Sequence, residues 1–139
     1  MMVKGIHYSR EYERELLGIM MKDSNVYDLT ANLVDTETFY HPDTRTVYEA
    51  IGHMINQGYP VNIINMTDYL RRQKVTLLNG DEMVYYISTL TNSMTNAAHM
   101  NHAARRLREM QAKREMLKLA GIGADAEADP FDQHCAYSS

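Results

Sequence analysis

The sequence predicts an all-α protein: a compact head of about five helices followed by one long projecting helix. Three observations predict it. Apolar residues recur three and four apart through most of the chain, the period of a helix with one buried face. Residues that cap helix N-termini stand ahead of these periodic segments. The stretch "NSMTNAAHMNHAARRLREMQAKREMLKLAGIGADAEA", Asn92 to Ala128, contains no proline and no glycine before Gly121. No alternating pattern calls for a strand ladder.

The elements follow in order. Residues 1–8 are an N-terminal extension, and residues 9–92 are the head. Ser9 can cap a first helix, with Tyr12, Leu16, Ile19 and Met20 on one face and Leu17 and Met21 widening it. Val26, Leu29, Leu33 and Val34 keep helical spacing in a second. In the connector "DTETFYHPD", Phe39 and Tyr40 are too apolar for a solvated loop and are expected to plug the core. Pro42 suits the first turn of a third helix, whose stripe is Val47, Tyr48, Ile51, Met54 and Ile55. Gly58 stands where a left-handed C-cap belongs. Asn62 can cap a fourth helix carrying Ile63, Met66 and Leu70. The segment "KVTLLNGD" reads as a turn. A fifth helix points Met83, Tyr86, Ile87 and Leu90 inward.

Thr95 or Asn96 then starts the long helix, assigned to residues 93–124, with a flexible tail over 125–139. Met100, Ala103, Ala104, Leu107 and Met110 or Gln111 form its first apolar stripe. Ala112, Met116, Leu119, Ala120 and Gly123 form a second, rotated from it. A helix of about 30 residues spans roughly 45 Å. A head of about 90 residues has a radius of gyration of only about 12 Å. The second half is therefore expected to stand off the head, with its apolar residues available to a partner.

Composition narrows the function. The 139 residues carry a net charge of −4, which disfavours a free-standing nucleic-acid binder held by phosphate contacts. A small DNA-binding regulator using the Arg-rich helix is thereby the weakest of the readings considered. Cys135 is the only cysteine, so no internal disulfide is expected and a reducing, cytoplasmic home fits. The N-terminus shows no signal-peptide pattern, and no apolar run is long enough to span a bilayer. There are 11 Met and 10 Tyr but no Trp, a mixture suited to an irregular core.

Motifs for catalysis are missing. There is no G-x-x-x-x-G-K-[ST] to cradle phosphates, no G-x-S-x-G and no H-E-x-x-H. Neither a catalytic residue nor a cofactor or metal site is expected. Cys135 beside His134 sits in the tail, where nothing would hold a nucleophile's geometry. His99 and His102 lie one turn apart, but no cysteine or carboxylate shares their face and Arg105 and Arg106 follow, so they read as surface residues. Glu11, Glu13 and Glu15 read as a solvated face complementing the helix dipole. Arg105, Arg106, Arg108, Lys113, Arg114 and Lys118 spread round the long helix, with Glu109 and Lys113 as an i, i+4 pair.

Four segments then resemble the N-terminal domain of DnaB-type replicative DNA helicases. "SREYERELLGIMMKD" is similar to that family's opening helix, through Glu11, Glu13, Leu17 and Gly18. "TETFYHPDTRTVYEAI" resembles its acidic-Phe-Tyr segment. "NQGYPVNIINMTDYLRRQ" resembles its Gly-x-Pro-Ile-Asp helix start, here Gly58, Pro60, Val61 and Asn62. "NSMTNAAHMNHAARRLREMQAKREML" is similar to its helix ending in Arg-Glu-Met. The resemblance covers residues 8–124 in unbroken order.

The resemblance implies an all-helical head with the long helix as the first arm of a helical hairpin, in a non-catalytic collar domain of a hexameric ring assembled as a trimer of dimers through paired hairpins. It implies docking of the C-terminal domain of primase. ATP and Mg belong to a separate RecA-like motor domain. The sequence departs from the family in Asn62 for the usual Asp, in a single glycine at Gly80, and in lacking the second hairpin helix and the motor domain. A homodimer is therefore expected, with the long helix finding its partner in another copy; a stand-alone helicase-like adaptor or inhibitor of phage or mobile-element origin is the alternative. The residues expected to contact a partner are Tyr85, Met110, Arg114, Met116, Leu117 and Leu119.

Overall fold

Among the described residues, six α-helices make up most of the regular structure: α1 (Arg10–Lys22), α2 (Asn25–Leu29), α3 (Pro42–Asn56), α4 (Ile63–Arg72), α5 (Met83–Thr91) and α6 (Met100–Leu119). Short 3-10 turns at Thr36–Thr38 and Ala97–His99 precede α3 and α6. The coordinates are a computed structural model describing residues 7–75, 83–92 and 97–121. No strand occurs among the described residues, so the all-α expectation holds. The expected turn over 74–81 lies outside them from residue 76 on, as do the caps at Thr95 and Asn96, Gly123 and the tail with Cys135.

Helix α1 is the centre. Ser9 caps it, its hydroxyl accepting from the Tyr12 N–H at 3.2 Å. Every residue from Leu16 to Met21 is buried. A helix with one wet face leaves its outward positions exposed, so burial all round requires neighbours on every side. α6, α5, α3 and α2 supply them. The core also holds Phe39, Val47, Ile51, Met54, Met66, Leu70, Met83, Ile87, Leu90 and Leu107. Phe39 is fully buried, whereas Tyr40 is only partly so and stacks on Tyr8 at 4.3 Å between ring centroids.

Local signals fix most boundaries. Pro42 opens α3, and Gly58 follows its end with φ +78°. Asn62 caps α4, accepting from the Asn65 N–H at 2.8 Å. Gly52 admits the Tyr27 ring: a Cβ there would collide with its hydroxyl and lie 2.9 Å from Cζ. The second helix is shorter than expected. Thr30 Oγ1 donates to the Val26 carbonyl at 2.8 Å as the chain turns out of α2, and Leu29 is left exposed.

The long helix departs most from expectation. α6 has 20 residues, so it reaches only about 30 Å. Gly121, at φ +80°, follows the C-cap Ala120 in a left-handed conformation that stops the helix. α6 also stays against its own head further than expected. Ala103, Ala104 and Leu107 join the core, and Met110, Gln111 and Leu117 are buried beyond it.

Candidate interaction surface

Glu13 sits at a polar junction between α1 and the segment entering α3. Its side chain is fully buried, not solvated as expected. The carboxylate accepts from the Tyr40 N–H at 3.0 Å, the His41 N–H at 3.4 Å and the Thr44 hydroxyl at 2.5 Å. His41 Nδ1 lies 2.9 Å away. A buried carboxylate is tolerated because its lone pairs are filled, and these donors lie far along the chain, beyond the reach of a local pattern.

A second junction joins α1, α3 and α5. Asp43 accepts from Arg10 Nη1 at 2.6 and 2.8 Å and from the Tyr86 hydroxyl at 2.8 Å. Burial alone would raise the Asp43 pKa. Hydrogen bonds from Tyr86 and Arg10, with the charge of Arg10, outweigh it and hold the carboxyl below its ordinary value. Burial, then the adjacent Asp43 charge, pushes the Tyr86 phenol well above its ordinary value. Burial likewise raises Tyr48, which packs on Phe39 and Tyr27. Arg14 donates to Thr89 Oγ1 at 2.6 Å and lies 5.1 Å from the Tyr86 ring centroid.

The six residues expected at a partner surface divide. Tyr85 (69% exposed), Met116 (68%) and Leu119 (88%) point into solvent. Met110 (1%) and Leu117 (5%) do not, because the first apolar stripe of α6 continues through them on the side facing the head. Both were expected at a partner surface and instead pack against the head within this chain. Arg114 is partly buried and bonded within the chain: Nη1 donates to the His7 carbonyl at 2.7 Å, Nη2 to those of Glu37 at 2.8 Å and Thr38 at 3.2 Å. Nearby, Gln111 Oε1 accepts from the Thr38 hydroxyl at 2.6 Å.

The exposed apolar face of α6 therefore consists of Ala112, Met116 and Leu119, spaced i, i+4, i+7. Val84 on α5 and Ile64 on α4 are also exposed, and neither was singled out from sequence. In the pair Ile63–Ile64 only one side chain can face inward, which was the available signal. The expected Glu109–Lys113 pair is not among the ion pairs; Glu109 instead binds Arg106 at 2.6 Å. His102 meets Tyr12 rather than His99, its Nε2 lying 3.4 Å from the phenol oxygen. No group of three or more His, Cys, Asp or Glu among the described residues could hold a metal ion. No helix among them is long and apolar enough to cross a membrane.

These features define an all-helical scaffold with apolar side chains presented on helix surfaces. The model of the family "DnaB-like helicase N terminal domain" matches residues 6–109, and the chain belongs to that family. It is 28% identical over 125 residues to the replicative DNA helicase DnaB of Rhodothermus marinus, covering 88% of this chain and 13% of that protein. It is 23% identical over 122 residues to the DnaB of Buchnera aphidicola, covering 88% and 26% respectively. The chain thus spans about a quarter or less of these relatives. Its fold is similar to the crystal structure of the N-terminal domain of DnaB helicase from Mycobacterium tuberculosis, with TM-score 0.73, 21% identity and coverage of 84% and 83%.

Proposed function

We propose that this chain is a non-catalytic collar module of a replicative helicase, which binds its own kind and receives the C-terminal domain of primase. The observation that carries the reading is the exposed Ala112–Met116–Leu119 face on α6 in a member of this family. An apolar face at this spacing suits helix-to-helix association, and burying a Leu or Met side chain is worth roughly 1.5–3 kcal/mol. Tyr85 on α5 is the second contact, assigned to primase. ATP hydrolysis, with its Mg, belongs in this reading to a separate motor domain, and the site of action is the cytoplasm.

Light scattering on the purified chain tests self-association. A dimer or larger species is expected, reduced to a monomer by Leu119→Arg. A monomeric wild-type chain at high concentration would refute the self-association reading. Calorimetric titration with a primase C-terminal domain tests the second contact, and Tyr85→Ala should weaken binding by at least about tenfold.

A further inference from the structure

The outer half of α6 is held differently from the inner half. The main core cluster reaches along α6 only as far as Leu107. Beyond it, Met110 and Leu117 are buried outside that cluster, with Arg114 between them at i, i+4, i+7. The Arg114 guanidinium grips two segments distant in sequence, His7 just before α1 and Glu37–Thr38 at the end of the 3-10 turn. It also lies 5.3 Å from the centroid of Tyr40, a ring that stacks on Tyr8. It forms no ion pair with any described carboxylate.

We infer that Arg114 is a latch: it holds the outer half of α6 closed on the head, and that half opens as a separate unit while the core stays folded. A rigid planar fork makes all three bonds from one rotamer, so they are lost together. All three acceptors are neutral carbonyls, which water can satisfy once the guanidinium withdraws. Burial disfavours the charged guanidinium, as the lowered pKa of Arg114 reflects, so desolvation offsets part of what the hydrogen bonds contribute. Units with few apolar contacts and polar tethers belong to the low-stability end of a fold. Opening would uncover Met110 and Leu117 beside the already exposed Met116 and Leu119. The segment would then present apolar side chains on two faces, so the latch regulates how much of α6 is available. This motion lies within one chain and does not rest on the collar reading.

Hydrogen exchange read by mass spectrometry, on the full chain in rising urea, tests it. In the wild type, amides of residues 110–119 should exchange at urea concentrations where α1 and α3 remain protected. Arg114→Gln should speed exchange in 110–119 at least about tenfold and leave α1 and α3 within about twofold. Arg114→Lys, which keeps the charge and loses the fork, should fall between the two. Simultaneous opening of 110–119 and α1 in the wild type would overturn the latch. So would equal acceleration of every helix in Arg114→Gln, failure of that variant to fold, or full rescue by Arg114→Lys.

Discussion

The Tyr86 hydroxyl donates to the Asp43 carboxylate at 2.8 Å, tying α5 to the first turn of α3, while Arg10 reaches the same carboxylate from α1. Asp43 has a folded pKa below the ordinary aspartate value of 3.8. Its contribution to stability is therefore complete above that value and is lost as pH falls through the folded pKa. The urea midpoint should drop steeply below about pH 4, and Asp43→Asn should flatten this drop while lowering stability at pH 7.

Alkali acts on the same junction with the opposite sign. The phenols of Tyr86 and Tyr48 are raised above their ordinary value of 10.0, so the folded state resists their ionisation. Their contribution is complete below pH 10 and declines as pH rises beyond it. Thermal melts should fall above pH 10. Tyr86→Phe should make that decline shallower and cost about 1–2 kcal/mol at pH 7, because Asp43 loses a charged hydrogen bond.

Glu13 should be among the least replaceable polar residues. Glu13→Ala removes the acceptor of the Tyr40 and His41 N–H groups, at about 3 kcal/mol or more. Glu13→Gln keeps the shape but sets an amide NH2 among donors, and should cost about 1–3 kcal/mol. Urea denaturation of both variants measures this; a neutral Glu13→Ala would contradict the burial argument.

Leu117 and Leu119 are two residues apart and should respond differently. Leu117→Ala should destabilise by about 2–4 kcal/mol, whereas Leu119→Ala should stay within about 0.5 kcal/mol in a monomeric background. Parallel denaturation curves decide it. For this reason Leu117→Arg would test folding, not association.

Gly52→Ala sets a helix-propensity gain of about 1 kcal/mol against an overpacking cost of about 1–3 kcal/mol from the Tyr27 ring. The net should be a loss of up to about 2 kcal/mol. In a Tyr27→Ala background the same change should instead stabilise, a reversal that a double-mutant cycle reads directly.

Local chemistry made much of the fold legible in advance. Ser9, Pro42, Gly58 and Asn62 act on the few residues beside them, so their roles can be read from the chain alone. The inward residues of α3 and α5 follow from period. Long-range partners are different. The donors around Glu13 are 27 to 31 residues away, and nothing near Glu13 announces them. Gly52 gives no hint that a ring crosses it. On α6 both apolar stripes were visible, but only the placement of Thr38 and His7 decides that the Met110–Leu117 side faces the head. Met110, Arg114 and Leu117, expected at a partner surface, therefore lie on the side of α6 that packs on its own head.

Burial of α1 at every residue from Leu16 to Met21 has a consequence for biosynthesis. One of its main covers, α6, contributes Ala103, Ala104 and Leu107, which are joined to the peptide some 90 residues after Leu16. Until that stretch has left the ribosome, the greasiest segment of the nascent polypeptide lacks its lid. Long-range closure of this kind is slow and leaves intermediates prone to clumping. Truncated products ending before Leu107 should depend on chaperones, whereas the full-length product should not.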